Sequence, residues 1–401
     1  MALKKIGPPH RRHILQAGLA GAGAVVSSGA SAADSVTAAM RTPGKPMSSY
    51  GMPSPHEANV QRIIGAAYPV VSPGTGVSRT PLHLLDGTIT PAGLHFERHH
   101  NGVPDIDAST HRLLVHGMVT RELEFSVEDL LRYPRTSRIS FIECAGNSGG
   151  NGAPQPPQTS AGAIHGLLSC SEWTGVKLGL LLDEVGIESR ATWLIAEGSD
   201  ASSLSRSIPL AQAREVGILA LFQNGERLRP EQGYPLRLLM PGWEGNLNIK
   251  WLHRIKLTDG PVYAKDETSK YTELQPNGIA RQFDLIMGAK SVIIRPSVGM
   301  TLPAAGFYEI SGLAWSGHGR IARVEVTIDG GQTWAEAELT GPVLPQALCR
   351  FRMPWEWHGK ATVLQSHAAL MAQRAPGQIY HYNAIQSWRV MSDGTVKNVR
   401  I

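Results

Sequence analysis

Glycine and proline interrupt this chain too often for a long helix to form. Its 401 residues include 43 Gly and 27 Pro, the residues that end helices and turn chains. That density disfavours a long helical bundle and favours a β or α+β plan. Apolar residues make up 42% of the chain, enough for sizeable cores. Three cysteines in so long a chain exclude a disulfide scaffold. No apolar run reaches the ~18–20 residues of a membrane span.

The first 32 residues read as an export signal. A basic segment ends in Arg11-Arg12, a weakly apolar Ala/Gly stretch runs from Ala17 to Val26, and Ala30-Ser31-Ala32 is a small-x-small cleavage site. The arginine pair followed by Ile14-Leu15 resembles a twin-arginine signal, although His10 stands where Ser or Thr is usual. That route carries folded proteins and places the chain in the periplasm. It also explains the charge. Of the formal +5 balance, Lys4, Lys5, Arg11 and Arg12 supply four, with no acidic residue among them. The basicity is export chemistry and gives no basis for nucleic-acid binding.

Residues 33–80, rich in Pro, Ser and Gly, predict an irregular arm. Ordered patterns follow. Arg112–Val119, Arg138–Glu143, Thr192–Glu197, Gly217–Phe222, Leu236–Met240 and Asn248–Leu257 predict strands. Ser126 caps a short helix to Arg132, and a second helix over Lys177–Val185 stops at Gly186. Asn224-Gly225 predicts a hairpin turn. Beyond residue 283 the pattern changes to short strands and turns. In Arg323–Trp334, Val324, Val326 and Ile328 face one way, Glu325 and Thr327 the other, before Asp329-Gly330-Gly331 turns the chain. About seven strands in residues 284–401 suit a β-sandwich. Residues 81–283 then form a separate α+β domain.

Cys144, Cys170 and Cys349 allow at most one disulfide. No Cys-x-x-Cys-His occurs, so the chain carries no c-type haem. Cys144 ends a strand and opens the loop Cys-Ala-Gly-Asn-Ser-Gly-Gly-Asn-Gly. Small residues there let backbone approach a ligand. Its thiolate suits a soft metal or a nucleophilic role, against the plain alternative of a buried structural thiol. Hydrolysis with a base such as His165, and a binding protein built on the sandwich with no redox centre, are the other readings.

Phe96-Glu-Arg-His-His100, Cys144-Ala-Gly-Asn147, Ser207-Ile-Pro-Leu210, Gly233-Tyr-Pro-Leu-Arg237, Lys250-Trp-Leu252 and Trp315-Ser-Gly-His-Gly-Arg320 together resemble the sulfite oxidase family of molybdenum enzymes, from about residue 80 onward. The resemblance implies a mixed α+β molybdopterin domain followed by an immunoglobulin-like dimerisation domain. It implies a molybdenum–molybdopterin cofactor with Cys144 as the protein's metal ligand. It places Phe96, Arg98, His100, Asp200, Gln232, Arg237, Asn248, Ile249 and Lys250 around the pterin. Arg98, Tyr271 and Arg320 fall at catalytic positions. A pterin phosphate needs cationic and N–H donors, which Arg237 and Lys250 can supply.

The sequence also departs from the family. Ser148 and Gly149 stand where sulfite oxidases carry arginines, Gln232 replaces a pterin-site histidine, and Ala163 or a neighbour falls at the position of a pocket tryptophan. The Gly/Pro-rich loop Ser148–Gln158 can leave a wider entrance. These changes, with Ser169-Cys-Ser-Glu-Trp-Thr-Gly175 read as a loop, resemble the molybdenum subunit of the sulfane dehydrogenase of bacterial thiosulfate oxidation. What that implies is oxidation of sulfane sulfur held on a cysteine of a carrier protein. By that resemblance, electrons would pass to a dihaem c-type cytochrome in a heterotetramer built on a homodimer. Sulfite dehydrogenation with a cytochrome acceptor is the alternative.

Overall fold

Alternation within single strands decides what this molecule can bury and what it presents to a ligand. The computed structural model describes residues 38–65, 73–275, 277–282, 285–368 and 385–401. The export segment 1–32 lies outside them. They fall into two units divided after Ala58. In the first, residues 39–58 are exposed and form two single turns of 3-10 helix, Ala38–Met40 and Pro55–Glu57.

The second unit begins with strands β1 (Ile63–Ile64), β2 (Gly76–Arg79), β3 (Glu97–His99), β4 (Arg112–Gly117), β5 (Leu123–Ser126), β6 (Arg135–Glu143), β7 (Leu168–Lys177), β8 (Trp193–Gly198), β9 (Ser205–Pro209), β10 (Ile218–Gln223), β11 (Glu226–Arg227), β12 (Arg237–Leu239) and β13 (Leu252–Thr258). β1, β2 and β3 form a small antiparallel sheet, so part of the expected irregular arm is strand. A second sheet has the order β11-β10-β7-β6, with β12 also on β10. A third runs β5-β4-β13-β8-β9.

Local chemistry fixes the helices between them. Ser126 accepts from Asp129 N at 3.0 Å and Asp129 accepts from Ser126 N at 3.0 Å, a reciprocal box that starts Val127–Arg132. Leu178–Val185 buries Leu178, Leu181, Leu182 and Val185 and ends at Gly186, whose φ is 72°. Those residues join Leu113, Val115, Leu194, Ile255 and Leu257 of the third sheet in one apolar core. Asn224 and Gly225, at φ 51° and 83°, turn β10 into β11 as expected.

Two expectations fail here. Ser169–Gly175 is not a loop but the middle of β7, paired with β6 on one side and β10 on the other. All of it but Glu172 and Thr174 is buried, so it lacks the apolar–polar alternation that marks a half-exposed strand. The strand expected over Asn248–Leu257 starts only at Leu252. Trp251 is left-handed at φ 53°, and its indole N–H donates to Pro230 O at 2.9 Å.

After two short strands, β14 (Glu273–Leu274) and β15 (Ala280–Arg281), come β16 (Lys290–Arg295), β17 (Gly306–Trp315), β18 (Val324–Thr327), β19 (Ala335–Glu336), β20 (Glu338–Thr340), β21 (Cys349–Trp357), β22 (Thr362–Ala368), β23 (Ser387–Val390) and β24 (Val396–Val399). They make the expected sandwich, with sheets β16-β17-β21-β20 and β19-β18-β22-β23-β24. β18 is shorter than its pattern suggested. Thr327 is buried, because its hydroxyl takes the N–H of Asp329 at 3.2 Å and of Gly331 at 3.0 Å, and Ile328 is turned out to 39% exposure.

The sandwich core is continuous with the back of the second sheet. Phe141, Leu168 and Cys170 pack in one cluster with Trp315, Phe351 and Trp388. Ile142, one residue along β6, belongs to a different cluster with Phe96, Trp173 and Leu239. β6 therefore serves two cores from its two faces.

Candidate active site

Continuing the parity of β6 past its end puts Cys144 on the Ile142 face and Glu143 on the Phe141 face. Both consequences are visible. Cys144 and Ile142 line one cleft. Glu143, with no exposed surface, takes Lys290 Nζ at 2.8 Å, Trp315 Nε1 at 2.7 Å and Asn147 Nδ2 at 3.0 Å. The sandwich thus holds the carboxylate next to Cys144, and Asn147 ties the following loop back to it. Asn147 Oδ1 also takes Leu167 N at 3.0 Å.

Of the residues expected around a pterin, Phe96, Arg98, His100, Asp200, Gln232, Arg237, Asn248, Ile249 and Lys250 all line this cleft with Cys144 and Tyr271. The turn at 248–251 brings three of them in. Asn248 receives Met240 N on Oδ1 at 2.8 Å and donates to Glu244 O at 3.2 Å, while Ile249 O takes Leu238 N at 2.8 Å. Gly233, at φ 107°, packs so close that a Cβ there would sit 3.1 Å from Lys250 Cα.

One wall of the cleft is cationic. Lys250 Nζ reaches His99 Nδ1 at 2.8 Å and Glu231 O at 3.1 Å, and lies 4.2 Å from the Trp251 ring centre. Arg237 donates to Gln232 O at 2.9 Å and Asn248 O at 3.1 Å and stacks 4.9 Å over Trp173. Burial lowers the Lys250 ammonium well below its usual range and brings Arg237 down to about 9. An anion laid against them would reverse that desolvation cost. Burial also lowers His95 and His100 to about 3, with nearby Arg and Lys charges adding to the effect, so both imidazoles are neutral at pH 7. On the other side, Asp200 accepts Ser202 Oγ at 2.6 Å.

Three expectations do not hold. Arg320 does not reach the cleft. Trp315 turns inward to Glu143, Gly317 N bonds Met287 O at 2.8 Å, and Arg320 beyond them is exposed and absent from the cleft lining. The loop Ser148–Gln158 does not border the cleft either. Ser148, left-handed at φ 64°, gives its hydroxyl to His165 Nδ1 at 2.7 Å. Gln158 and Asn151 are bonded to Asn398 of β24 at 2.7 and 3.0 Å. These bonds tie the loop to the sandwich. Ala163, in the short helix Ala161–His165, also lies away from the lining.

His165 is no base for Cys144. Its second nitrogen meets Gln386 Oε1 at 3.0 Å, and burial lowers it to about 4. Burial raises the Cys144 thiol, opposed by the Gly146 N–H and by Arg98. Cys170 and Cys349 are free and buried, pushed by burial to about 12 and 11, as structural thiols are.

The donor set fits a molybdenum–pterin group. Arg237 Nε and His95 Nε2 are buried in the cleft wall with no hydrogen-bond partner among the described residues; the first is a donor and the second, with His95 Nδ1 donating to Phe96 O, an acceptor for a polar ligand. No group of three or more His, Cys, Asp or Glu residues that could hold a metal occurs among the described residues. A metal at the single thiolate of Cys144 must therefore bring its other ligands with it, as a pterin-bound metal does.

Comparison with known proteins agrees with this geometry. Residues 100–265 match the oxidoreductase molybdopterin binding domain, and residues 282–375 the Mo-co oxidoreductase dimerisation domain. The chain is 32% identical over 296 residues to mitochondrial sulfite oxidase of Mus musculus, covering 69% of this chain and 53% of that protein. It is 31% identical over 333 residues to a nitrate reductase of Hordeum vulgare, covering 74% of this chain and 37% of the reductase. It thus spans about half or less of the length of these curated relatives. A crystal structure of the sulfane dehydrogenase SoxCD from Paracoccus pantotrophus superposes with a TM-score of 0.87 at 42% identity, covering 92% of this chain and 98% of that one. The chain belongs to the sulfite oxidase family of molybdenum oxidoreductases. Its cofactor is a molybdenum–pterin.

Proposed function

We propose that this protein is a periplasmic sulfane dehydrogenase. It oxidises sulfane sulfur on a carrier-protein cysteine and passes the electrons to a c-type cytochrome subunit. The observation that carries the reading is the fate of the Cys144 loop. Where sulfite oxidases present a second cationic donor, Ser148 is turned away into His165. The cleft keeps Arg98 but gains no charge from that loop, and Arg320 stands outside it. A small free dianion is best held by several cations; a tethered sulfur needs fewer. Similarity to a sulfane dehydrogenase over nearly the whole chain supports the same reading.

When bound, the molybdenum centre supplies oxygen-atom transfer and takes up the electrons. The chain's residues do the rest. Cys144 holds the metal through its sulfur. Arg237 and Lys250 bind the pterin's anionic end, Asp200 and Asn248 orient its polar edges, and Phe96, Gln232, Ile249 and His100 complete the wall. Arg98 balances negative charge gathering on the sulfur substrate. The Tyr271 phenol, held protonated by burial and by the nearby Cys144 and Glu244, donates a hydrogen bond within the cleft. Export by the twin-arginine route suits a cofactor inserted before translocation. The dimerisation domain supports a homodimer, and the missing haem motif calls for an external electron acceptor.

Sulfite dehydrogenation is the second reading, favoured by identity to a sulfite oxidase. Steady-state assays with a cytochrome c acceptor separate the two. Turnover of a persulfide-loaded cysteine carrier well above that of free sulfite is the expected result. Rapid sulfite turnover with no response to the carrier would replace the first reading with the second.

A further inference from the structure

Behind Tyr271 lies a buried ion cluster outside the family motifs. Arg206 of β9 has no exposed surface. Its Nη1 reaches Glu244 Oε2 at 3.2 Å and also bonds Asn246 Oδ1, and its Nε reaches Glu267 Oε1 at 3.4 Å. The guanidinium carbon stands 4.7 Å from the centre of the Tyr271 ring, within cation–π range. Glu267 is further occupied by Ser207 N, by Ser207 Oγ at 3.1 Å and by Ala264 N at 2.8 Å. Arg206 is thus locked, and the ring of Tyr271 rests on it.

The consequence falls on Asn246. A guanidinium has donors only, so the amide must turn its oxygen toward Arg206, which directs its NH2 away from the ion cluster. Asn246 lines the cleft together with Tyr271 and Cys144. Its Nδ2 is buried and has no hydrogen-bond partner among the described residues, and the same is true of Arg206 Nη2. A buried donor left unmade is costly, and a cleft-facing one is satisfied by an acceptor on the ligand.

We propose that Asn246 is a substrate-facing donor for the oxygens of an anionic sulfur substrate or product, and that Arg206 positions both this amide and the Tyr271 ring. The inference rests on the sulfur-oxidising reading above and deepens it. A neutral amide takes the place of an additional loop cation, so the cleft can grip a sulfur oxyanion without requiring a free dianion.

Asn246→Asp keeps an oxygen toward Arg206 and removes the NH2 donor, and Asn246→Ala removes both. Each is made in the full holoenzyme. Molybdenum and pterin content, calorimetric binding of sodium sulfite as probe, and KM and kcat are measured. The expected result is full cofactor content, with sulfite binding weakened roughly tenfold or more and KM raised in step. Arg206→Lys tests positioning. It should weaken sulfite binding too, lower kcat through Tyr271, and give a double variant with Asn246→Asp that binds sulfite no more weakly than the poorer single variant. Asn246 variants that load the cofactor and bind sulfite like the parent overturn the proposal, whether or not Arg206→Lys folds. A parent holoenzyme that neither binds sulfite nor oxidises any sulfur substrate overturns the functional reading and this inference with it. An active parent with indifferent Asn246 variants overturns the inference alone.

Discussion

Glu143 and Cys144 are neighbours in sequence that serve opposite faces of one strand, and the pair shows how single residues carry this molecule. Glu143 is a buried carboxylate made tolerable by Lys290, Trp315 and Asn147. Removing the cation alone leaves an uncompensated buried charge, so Lys290→Met should cost about 3–5 kcal/mol. Lys290→Met with Glu143→Gln should cost clearly less, and urea unfolding of the single and double variants measures the difference. His165 gives a pH signature. Its folded pKa is about 4, against an ordinary 6.5. Below 6.5 the unfolded chain takes up a proton that the folded chain refuses, so stability falls as pH drops from about 6.5 to about 4. His165→Gln should recover about 2 kcal/mol of the stability lost between pH 7 and pH 5, read from unfolding midpoints at the two pH values. At this scale the sequence was partly legible. Cys144 stood out because small residues follow a strand, and most cleft residues lie in contiguous motifs. Glu143, Arg206 and Asn246 did not, because their meaning lies in charged partners between 38 and 147 residues away. Glu143 meets Lys290, and Arg206 meets Glu244 and Glu267.

Elements whose neighbours are local were readable, and those defined by both neighbours were not. The Ser126 box and the Gly186 stop are written in a few adjacent residues. β7 is not, because it is sandwiched between β6 and β10 and buries Ser169 and Ser171 as fully as its apolar residues. Gly175 shows the closeness of that packing. A Cβ there would lie 2.0 Å from Leu219 O and 2.7 Å from Ala220 Cα on β10. Gly175→Ala should therefore destabilise by about 1–3 kcal/mol. Because β7 also carries Trp173, beneath Arg237, the variant should lose molybdenum content as well, measurable by metal analysis of the purified protein. Retention of both stability and metal would show that β10 moves aside without cost. The turn at 248–251 is the complementary lesson. Its composition suits a strand, but Trp251 takes a left-handed conformation, and the bend puts Asn248, Ile249 and Lys250 into the cleft.

For the whole molecule, one apolar cluster runs from Leu82, Phe141 and Cys170 into the sandwich. The second domain is thus part of the support of the first: it clamps Glu143, through Lys290 and Trp315, and anchors the loop after Cys144, through Asn398. The division into an α+β domain and a sandwich was legible as a change of texture near residue 284. The placing of Arg320 was not, since the course of the loop from β17 to β18 depends on contacts such as Gly317 with Met287. The central claim is that Cys144 holds a molybdenum–pterin at which sulfur is oxidised. Its most direct test is the sulfur-oxidising turnover of Cys144→Ser, purified from molybdenum-replete cells beside the parent. Turnover should fall at least about a hundredfold, with the circular dichroism and unfolding midpoint of the parent retained. Near-normal turnover by the serine variant would contradict it.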